Sequence, residues 1–261
     1  MSGDKKVMDD MNKSFFKQNY NTEDVTLPDG NVITIREANG DDEDILSSTS
    51  YNKDGTAYYR YLANLIVEPR MTWEGVAAMK NRCIYYGLYK ARLLSLGDEI
   101  MFDYTFQTPK IGMAPFEENL SKFDRDLSKP YTELEEDKMD KEVIKAYPAG
   151  AAETFEFILA SGKKLRMRYL TGEMERSTLD GDTEQLSIND KVKLRSLELY
   201  TGETWTAIEN LSLFTSREMN EIRKALSKND EQFTCITQVT KSGVTEELSM
   251  FLLPAFFFPQ A

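Results

Sequence analysis

The stretch Val25-Thr26-Leu27-Pro28-Asp29-Gly30-Asn31-Val32-Ile33-Thr34-Ile35 decides the reading of the fold. Two apolar, β-branched runs, Val25-Thr26-Leu27 and Val32-Ile33-Thr34-Ile35, flank Pro28-Asp29-Gly30-Asn31. Asp-Gly is a strong tight-turn signal, because glycine takes positive φ without steric cost. The pattern recurs 132 residues further on. There, Phe155-Glu156-Phe157-Ile158-Leu159 and Leu165-Arg166-Met167-Arg168 flank Ala160-Ser161-Gly162-Lys163. A β-hairpin is expected at each place.

Working outward, further clusters fall into register at the same offset without a gap. Ile33-Thr34-Ile35-Arg36 meets Leu165-Arg166-Met167-Arg168, and Gly40-Asp41-Asp42-Glu43 meets Gly172-Glu173-Met174-Glu175. Leu62 and Leu65 meet Leu194 and Leu197. Thr72-Trp73 meets Thr204-Trp205, which holds the second of only two tryptophans. Leu94-Ser95-Leu96-Gly97-Asp98-Glu99 meets Leu226-Ser227-Lys228-Asn229-Asp230-Glu231. The match lapses between residues 44–60 and 176–192. The coincidences fall at a turn glycine, a post-strand arginine, a tryptophan and a helix-ending Asp-Glu. These are framework positions, so the spacing implies one fold used twice.

After each hairpin the pattern turns helical. Gly40 and the acidic run Asp41-Asp42-Glu43-Asp44 suit a helix N-terminus, through capping and the helix dipole. Tyr58, Tyr61, Leu62, Leu65 and Ile66 repeat at three and four, and Val76, Met79, Cys83, Tyr86, Leu88 and Leu93 are compatible with a second helical stripe. The corresponding residues of copy two are Val192, Leu194, Leu197 and Leu199, then Ile208, Leu211, Phe214, Met219, Ile222 and Leu226. Thr72 and Thr204 are expected to cap the helix that carries each tryptophan, with Trp73 and Trp205 as core anchors. A closing strand follows at Met101–Phe106 and at Phe233–Thr237. The fold class expected is α+β and mainly α: an internal duplication of a β-hairpin followed by a small helical bundle. The organisation expected is an N-terminal arm (1–23), repeat 1 (24–106), a linker (107–152), repeat 2 (153–240) and an apolar C-terminal tail (241–261). The linker carries Pro109, Pro115, Pro130 and Pro148, and the acidic stretch Glu133-Leu134-Glu135-Glu136-Asp137-Lys138 reads as a solvated helix face within it.

Composition narrows the function classes. The chain has 261 residues, 29% of them charged, with a formal net charge of −12. That charge repels phosphate backbones and anionic lipid, so no nucleic acid is expected as partner. No window approaches the roughly 18 apolar residues of a membrane span, and Met1-Ser2-Gly3-Asp4-Lys5-Lys6 leads into polar sequence rather than an apolar signal core. Histidine is absent altogether. This excludes Ser-His-Asp and Cys-His nucleophiles, His-ligated zinc and His proton shuttles. Cys83 lies among apolar helical positions with no histidine to activate it, so a core thiol is expected.

No phosphate-cradling glycine loop is present. Asp180-Gly181-Asp182-Thr183-Glu184 resembles the start of a calcium loop, but its sixth position is Gln185 and its twelfth Lys191, so an acidic turn is expected. Neither metal nor cofactor is expected, and paired carboxylates find no support in the spacing. The remaining candidate is the C-terminus, Met250-Phe251-Leu252-Leu253-Pro254-Ala255-Phe256-Phe257-Phe258-Pro259. Consecutive phenylalanines between prolines suit neither a helix interior nor one face of a strand. Two readings stand, and both can hold together in an assembled complex: the tail folds back over a repeat's core, and Phe251, Leu252, Leu253, Phe256, Phe257 and Phe258 insert into a partner's groove.

The opening of copy one, from Val25 through Arg36-Glu37 to Gly40-Asp41-Asp42-Glu43-Asp44, resembles the tail assembly chaperones of long-tailed bacteriophages. The end of the chain is similar to the C-terminus of baseplate hub and hub-assembly proteins of T-even-like contractile phages. It carries that likeness in Phe233-Thr234-Cys235-Ile236, Lys241-Ser242-Gly243, Val244-Thr245-Glu246-Glu247-Leu248 and Phe256-Phe257-Phe258-Pro259. Many members of that family carry Cys-x-x-Cys ahead of the turn, whereas here Cys235 is followed at that spacing by Gln238, so no zinc is expected. The resemblance implies a non-enzymatic structural or assembly component of a contractile tail. It implies contacts with baseplate hub or tape-measure proteins in a multi-subunit assembly, and a place in the virion baseplate after synthesis in the host cytoplasm. The alternative it leaves is a soluble tail assembly chaperone that binds the tape-measure protein and is absent from the mature virion.

Overall fold

The computed structural model describes residues 20–108, 110–124, 153–178, 187–230, 232–252 and 254–258. Both expected hairpins are present at the 132-residue offset. Strands β1 (Thr22–Thr26) and β2 (Val32–Arg36) pair antiparallel in the first copy. In the second, β6 (Thr154–Ile158) pairs with β7 (Lys164–Arg168). The turns match bond for bond. Gly30 N–H donates to the Leu27 carbonyl and Gly162 N–H to the Leu159 carbonyl, each at 2.8 Å. The two glycines have φ of 85° and 84°, the left-handed conformation for which glycine is suited. Alternation does the rest: Val25, Ile33 and Ile35 point into one core, and Phe155, Leu165 and Met167 into another.

A short third strand joins each hairpin, β3 (Ile66–Glu68) in copy one and β8 (Glu198–Tyr200) in copy two, again 132 residues apart. Between β2 and β3 run α1 (Gly40–Ser47), α2 (Thr49–Lys53) and α3 (Ala57–Leu65). Helix α1 starts where the acidic run placed it. Asn39 and Asp42 form a reciprocal capping box, and Arg36 grips Asp42 with both terminal nitrogens, at 2.7 and 2.8 Å. Asn64 adds a bond to the same carboxylate at 2.6 Å.

The copies part company at the tryptophans. Thr72 caps α4 (Trp73–Ala77) as expected. Trp205, however, lies on a strand, β9 (Trp205–Ala207), paired with β8 through Tyr200. Local sequence explains the divergence: Glu74-Gly75-Val76-Ala77-Ala78 continues as a helix, whereas Thr206-Ala207-Ile208 places β-branched residues at alternate positions. Neither tryptophan is a core anchor. Both are half-buried, with the guanidinium of Arg60 lying 4.7 Å from the Trp73 ring and that of Arg166 lying 4.5 Å from the Trp205 ring.

The longest helices close each core: α5 (Asn81–Leu96) in copy one and α8 (Ser216–Asn229) in copy two, the latter preceded by α6 (Gly172–Arg176) and α7 (Ile188–Leu194). Each copy ends in a further hairpin and a 3-10 turn. Strands β4 (Glu99–Thr105) and β5 (Met113–Asn119) lead to Leu120–Phe123, and β10 (Ile236–Lys241) and β11 (Val244–Ser249) lead to Met250–Leu252. A last turn of helix, α9, spans Pro254–Phe257.

The expectation of a mainly helical chain is overturned. Among the described residues 41% are helical and 29% are in strands, arranged as four small antiparallel sheets with nine α-helices, rather than a hairpin on a helical bundle. The error has a physical source. Short apolar runs such as Leu197–Leu199 fit helical spacing, but they pair as strands once a neighbouring hairpin offers an open edge.

The boundaries read from the sequence also fall differently from the packing. The break at 106/107 separates β4 from its partner β5, and the break at 240/241 falls inside β10. Pro115 of the expected linker sits in β5, whose sheet has only two strands, so one side of β5 is unpaired and a missing N–H is tolerated. The acidic stretch 133–138 and the loop at 180–184 lie outside the described residues. Two buried clusters result. One is confined to copy two, from Phe155 to Leu226. The other joins copy one to the end of copy two, including Phe233, Cys235, Val239, Leu248, Met250 and Phe256.

Candidate functional site

The tail singled out in the sequence lies in the first core. Phe256 is fully buried and Phe257 nearly so. The Phe257 ring packs 5.1 Å from Tyr58 and edge-on to Tyr61 at 6.1 Å. Phe251 packs edge-on to Tyr85 at 5.2 Å and lies 4.8 Å from Phe256, and Phe258 rests against the same cluster. Leu252 belongs to the 3-10 turn, and Leu253 lies outside the described residues. Of the two readings of the tail, the structure shows the fold-back, with Phe251 and Phe257 packed against tyrosine rings of copy one. Full burial of a ring, as at Phe256, is favourable by about 1.5–3 kcal/mol.

The two cysteines are interior thiols. Burial pushes Cys83 and Cys235 each up to about 12, so at neutral pH both are protonated and poor nucleophiles. Among the described residues, no three His, Cys, Asp or Glu side chains are placed to hold a metal ion, and no helix is long and apolar enough to cross a membrane.

The cavity that does bring chemistry together lies where the copies meet. The meeting is backbone-made. Asn81 N–H donates to the Leu170 carbonyl at 2.7 Å, Gly172 N–H donates to the Met79 carbonyl at 3.3 Å, and Lys80 and Thr171 form an isolated antiparallel bridge. Side chains reinforce it: the Tyr59 hydroxyl donates to the Gly172 carbonyl at 3.0 Å. Beside this seam opens a cleft of ≈ 430 Å³, with Tyr85 and Asn81 from α5, Glu175 from α6, Arg195 after α7, and Gln232 and Phe251 from the C-terminal segment on its walls. A second cavity of ≈ 360 Å³ shares Tyr85, Glu175 and Thr178 with it and runs toward Tyr51 and Tyr58.

Glu175 is the pivotal group. Burial raises its pKa above the usual carboxylate value, opposed by hydrogen bonds from Asn81, Tyr85 and Tyr59. The Tyr85 hydroxyl reaches both carboxyl oxygens, at 3.3 and 3.4 Å, and burial together with Glu175 drives this phenol well above its ordinary range. On the opposite wall Arg195 is neutralised by Asp230 at 2.7 Å, both side chains being almost wholly buried. Asp230 also accepts from Leu170 N–H and from the Gln232 amide, so this pair ties α7, the seam and the C-terminal segment together. Two acceptors are left over: Asn81 Oδ1 and Gln232 Oε1 are buried without a hydrogen-bond partner among the described residues.

The wall thus mixes a buried carboxyl held by tyrosine hydroxyls, a neutralised Arg195–Asp230 pair and the exposed Lys191. In the sequence Glu175 stands out only as part of a repeat match, and Asn81, Tyr85 and Gln232 do not stand out as site residues at all. No local signal marks them, because three distant segments must fold together before they share a cavity. No protein-family model, curated protein or solved structure matches this chain.

Proposed function

We propose that this chain is a non-enzymatic structural or assembly component of a bacteriophage contractile tail, in or for the baseplate hub, acting through protein–protein contacts. One observation carries the reading: the likeness of Phe233–Ile236, Lys241–Leu248 and Phe256–Pro259 to the C-terminus of hub and hub-assembly proteins. In this chain the described residues among them, Ile236–Ser249 and Phe256–Phe258 with their neighbours, belong to the β10–β11 hairpin and to the aromatic cluster that packs into the core of copy one. The protonated, buried thiols fit a part that works by shape rather than by covalent chemistry. The partners are other tail proteins, the baseplate hub or the tape-measure protein. Mass spectrometry of purified virions tests the reading, with the chain expected at baseplate stoichiometry. Consistent absence from particles, together with co-purification with the tape-measure protein from infected cells, would favour the chaperone alternative. Absence from both would overturn the proposal.

A further inference from the structure

We infer that Arg60 and Arg176, one from each copy, form with Trp73 a binding site for a carboxylate presented by a partner's acidic segment. The kind of partner rests on the proposed function, but the site itself stands on geometry. The Arg60 guanidinium lies against two half-buried rings, 4.5 Å from Tyr51 and 4.7 Å from Trp73. Its Nε donates to the Thr56 hydroxyl at 2.9 Å, and Thr56 is itself buried and tied to Asp54. So held, the planar fork has little rotamer freedom left to lose on binding. Arg176 comes from α6 across the seam, and its guanidinium lies 5.9 Å from the same indole. The terminal nitrogens of both arginines are accessible and make no hydrogen bond to any described residue.

Charge favours the same occupant. Neither guanidinium has an ion pair among the described residues, although the chain carries 44 acidic residues against 32 basic ones. Asp54 is an acid that feels both, yet its carboxyl is taken by Thr56. The Thr56 hydroxyl and N–H hold it below the usual carboxylate value, and Arg60 and Arg176 add only a pull through space. One carboxylate facing two guanidiniums leaves a positive charge uncompensated. A planar acceptor with one negative charge meets that need, because the guanidinium fork matches carboxylate geometry. A phosphate backbone brings a run of charges that the net −12 repels, whereas a single carboxylate meets the local charge within a Debye length of about 8 Å. Arg, Trp and Tyr are also the residue types enriched in interface hot spots.

The test is an NMR titration of the full-length chain with Nα-acetyl-aspartate N-methylamide, alongside its asparagine counterpart and inorganic phosphate. The aspartate probe is expected to shift the Arg60 Nε–H and Trp73 indole resonances in a saturable way. The asparagine probe should bind at least about tenfold more weakly, the loss expected for a charge-assisted bond. Arg60→Lys keeps the charge but loses the fork, and is expected to weaken the aspartate probe by a similar factor. Arg176→Gln, at the end of α6, provides a second variant if the first fails to fold. Equal binding of the asparagine probe, tighter binding of phosphate, shifts confined to other residues, or unchanged affinity in the folded variants would overturn the site. So would aspartate binding that emerges only in the Asp180→Asn, Asp182→Asn, Glu184→Gln variant, which would assign the two arginines to acids of the chain itself. Particles that contain the chain while the aspartate probe fails would sink the inference and leave the proposed function standing. Aspartate binding by a chain absent from both virions and tape-measure complexes would do the reverse.

Discussion

Tyr59 and Gly172, one from each copy, press against each other across the seam. The Tyr59 hydroxyl donates to the Gly172 carbonyl at 3.0 Å, and a Cβ built on Gly172 would lie 2.7 Å from the Tyr59 ring. The same Cβ would meet Ile84 at 2.7 Å and the Ala77 carbonyl at 3.1 Å. Its counterpart in copy one, Gly40, starts α1 with nothing within 4 Å. The repeated glycine thus has a packing duty in only one copy. Gly172→Ala is expected to cost about 1–3 kcal/mol through overpacking, and Gly40→Ala to be close to neutral. Urea unfolding of both variants checks this, and equal midpoints would count against the seam.

The tail should behave as core. Phe256→Ala is expected to destabilise by about 3–5 kcal/mol, as for other fully buried phenylalanines. Phe258→Ala, only partly buried, should cost less. Denaturant midpoints with unchanged m-values would separate the two. If both variants unfolded like the parent chain, the tail would not be holding copy two to copy one.

Asp42 is completely buried and serves Arg36, Asn64 and the Asn39 backbone at once. Asp42→Ala leaves the Arg36 guanidinium, itself largely buried, without its carboxylate. The expected loss is about 3–5 kcal/mol, the usual result of removing one partner of a buried ion pair. Asp41→Ala, on the exposed side of the same helix, is the control and should change stability little. Thermal melts of the pair provide the comparison.

Acid should loosen the packing between the hairpins that end the two copies. The Glu246 carboxylate accepts from the backbone N–H of Gln107 at 2.9 Å, from the N–H and hydroxyl of Thr108, and from the Tyr104 hydroxyl, which holds its pKa at about 2. Glu218 is likewise held at about 2, chiefly by Lys163, then by Thr215 and Ser161. Both values lie below that of an unfolded glutamate. Their stabilisation is therefore complete above about pH 4.5 and is lost as pH falls toward about 2. Stability measured from pH 7 down to about pH 2.5 should fall across that window. Glu246→Gln should fall less steeply, and an unchanged slope in that variant would rule out the assigned role.

How much of this is legible in the sequence depends on the range of the interaction. The hairpins are legible at Gly30 and Gly162 because a positive φ in a tight turn is a demand that neighbouring residues state openly. The cap at Thr72 and the acidic start of α1 are legible for the same reason. Trp205 reads as a helix start because Thr204-Trp205 copies Thr72-Trp73. The β-branched Thr206 and Ile208 beyond it, not the shared pair, choose strand over helix.

By itself, then, the sequence determined the two hairpins, their 132-residue offset and the turns that close them, since these depend on contacts a few residues long. It also determined that the phenylalanine tail must be covered by something. Only the tertiary structure decided what covers it: Tyr58, Tyr61 and Tyr85 of the other copy, through burial that is non-directional and carries no signature of its partner. The structure likewise decided that Asn81, Glu175 and Gln232 share one cleft. Hydrogen-bonding groups brought together from three separate segments have a spacing in space but none in the chain.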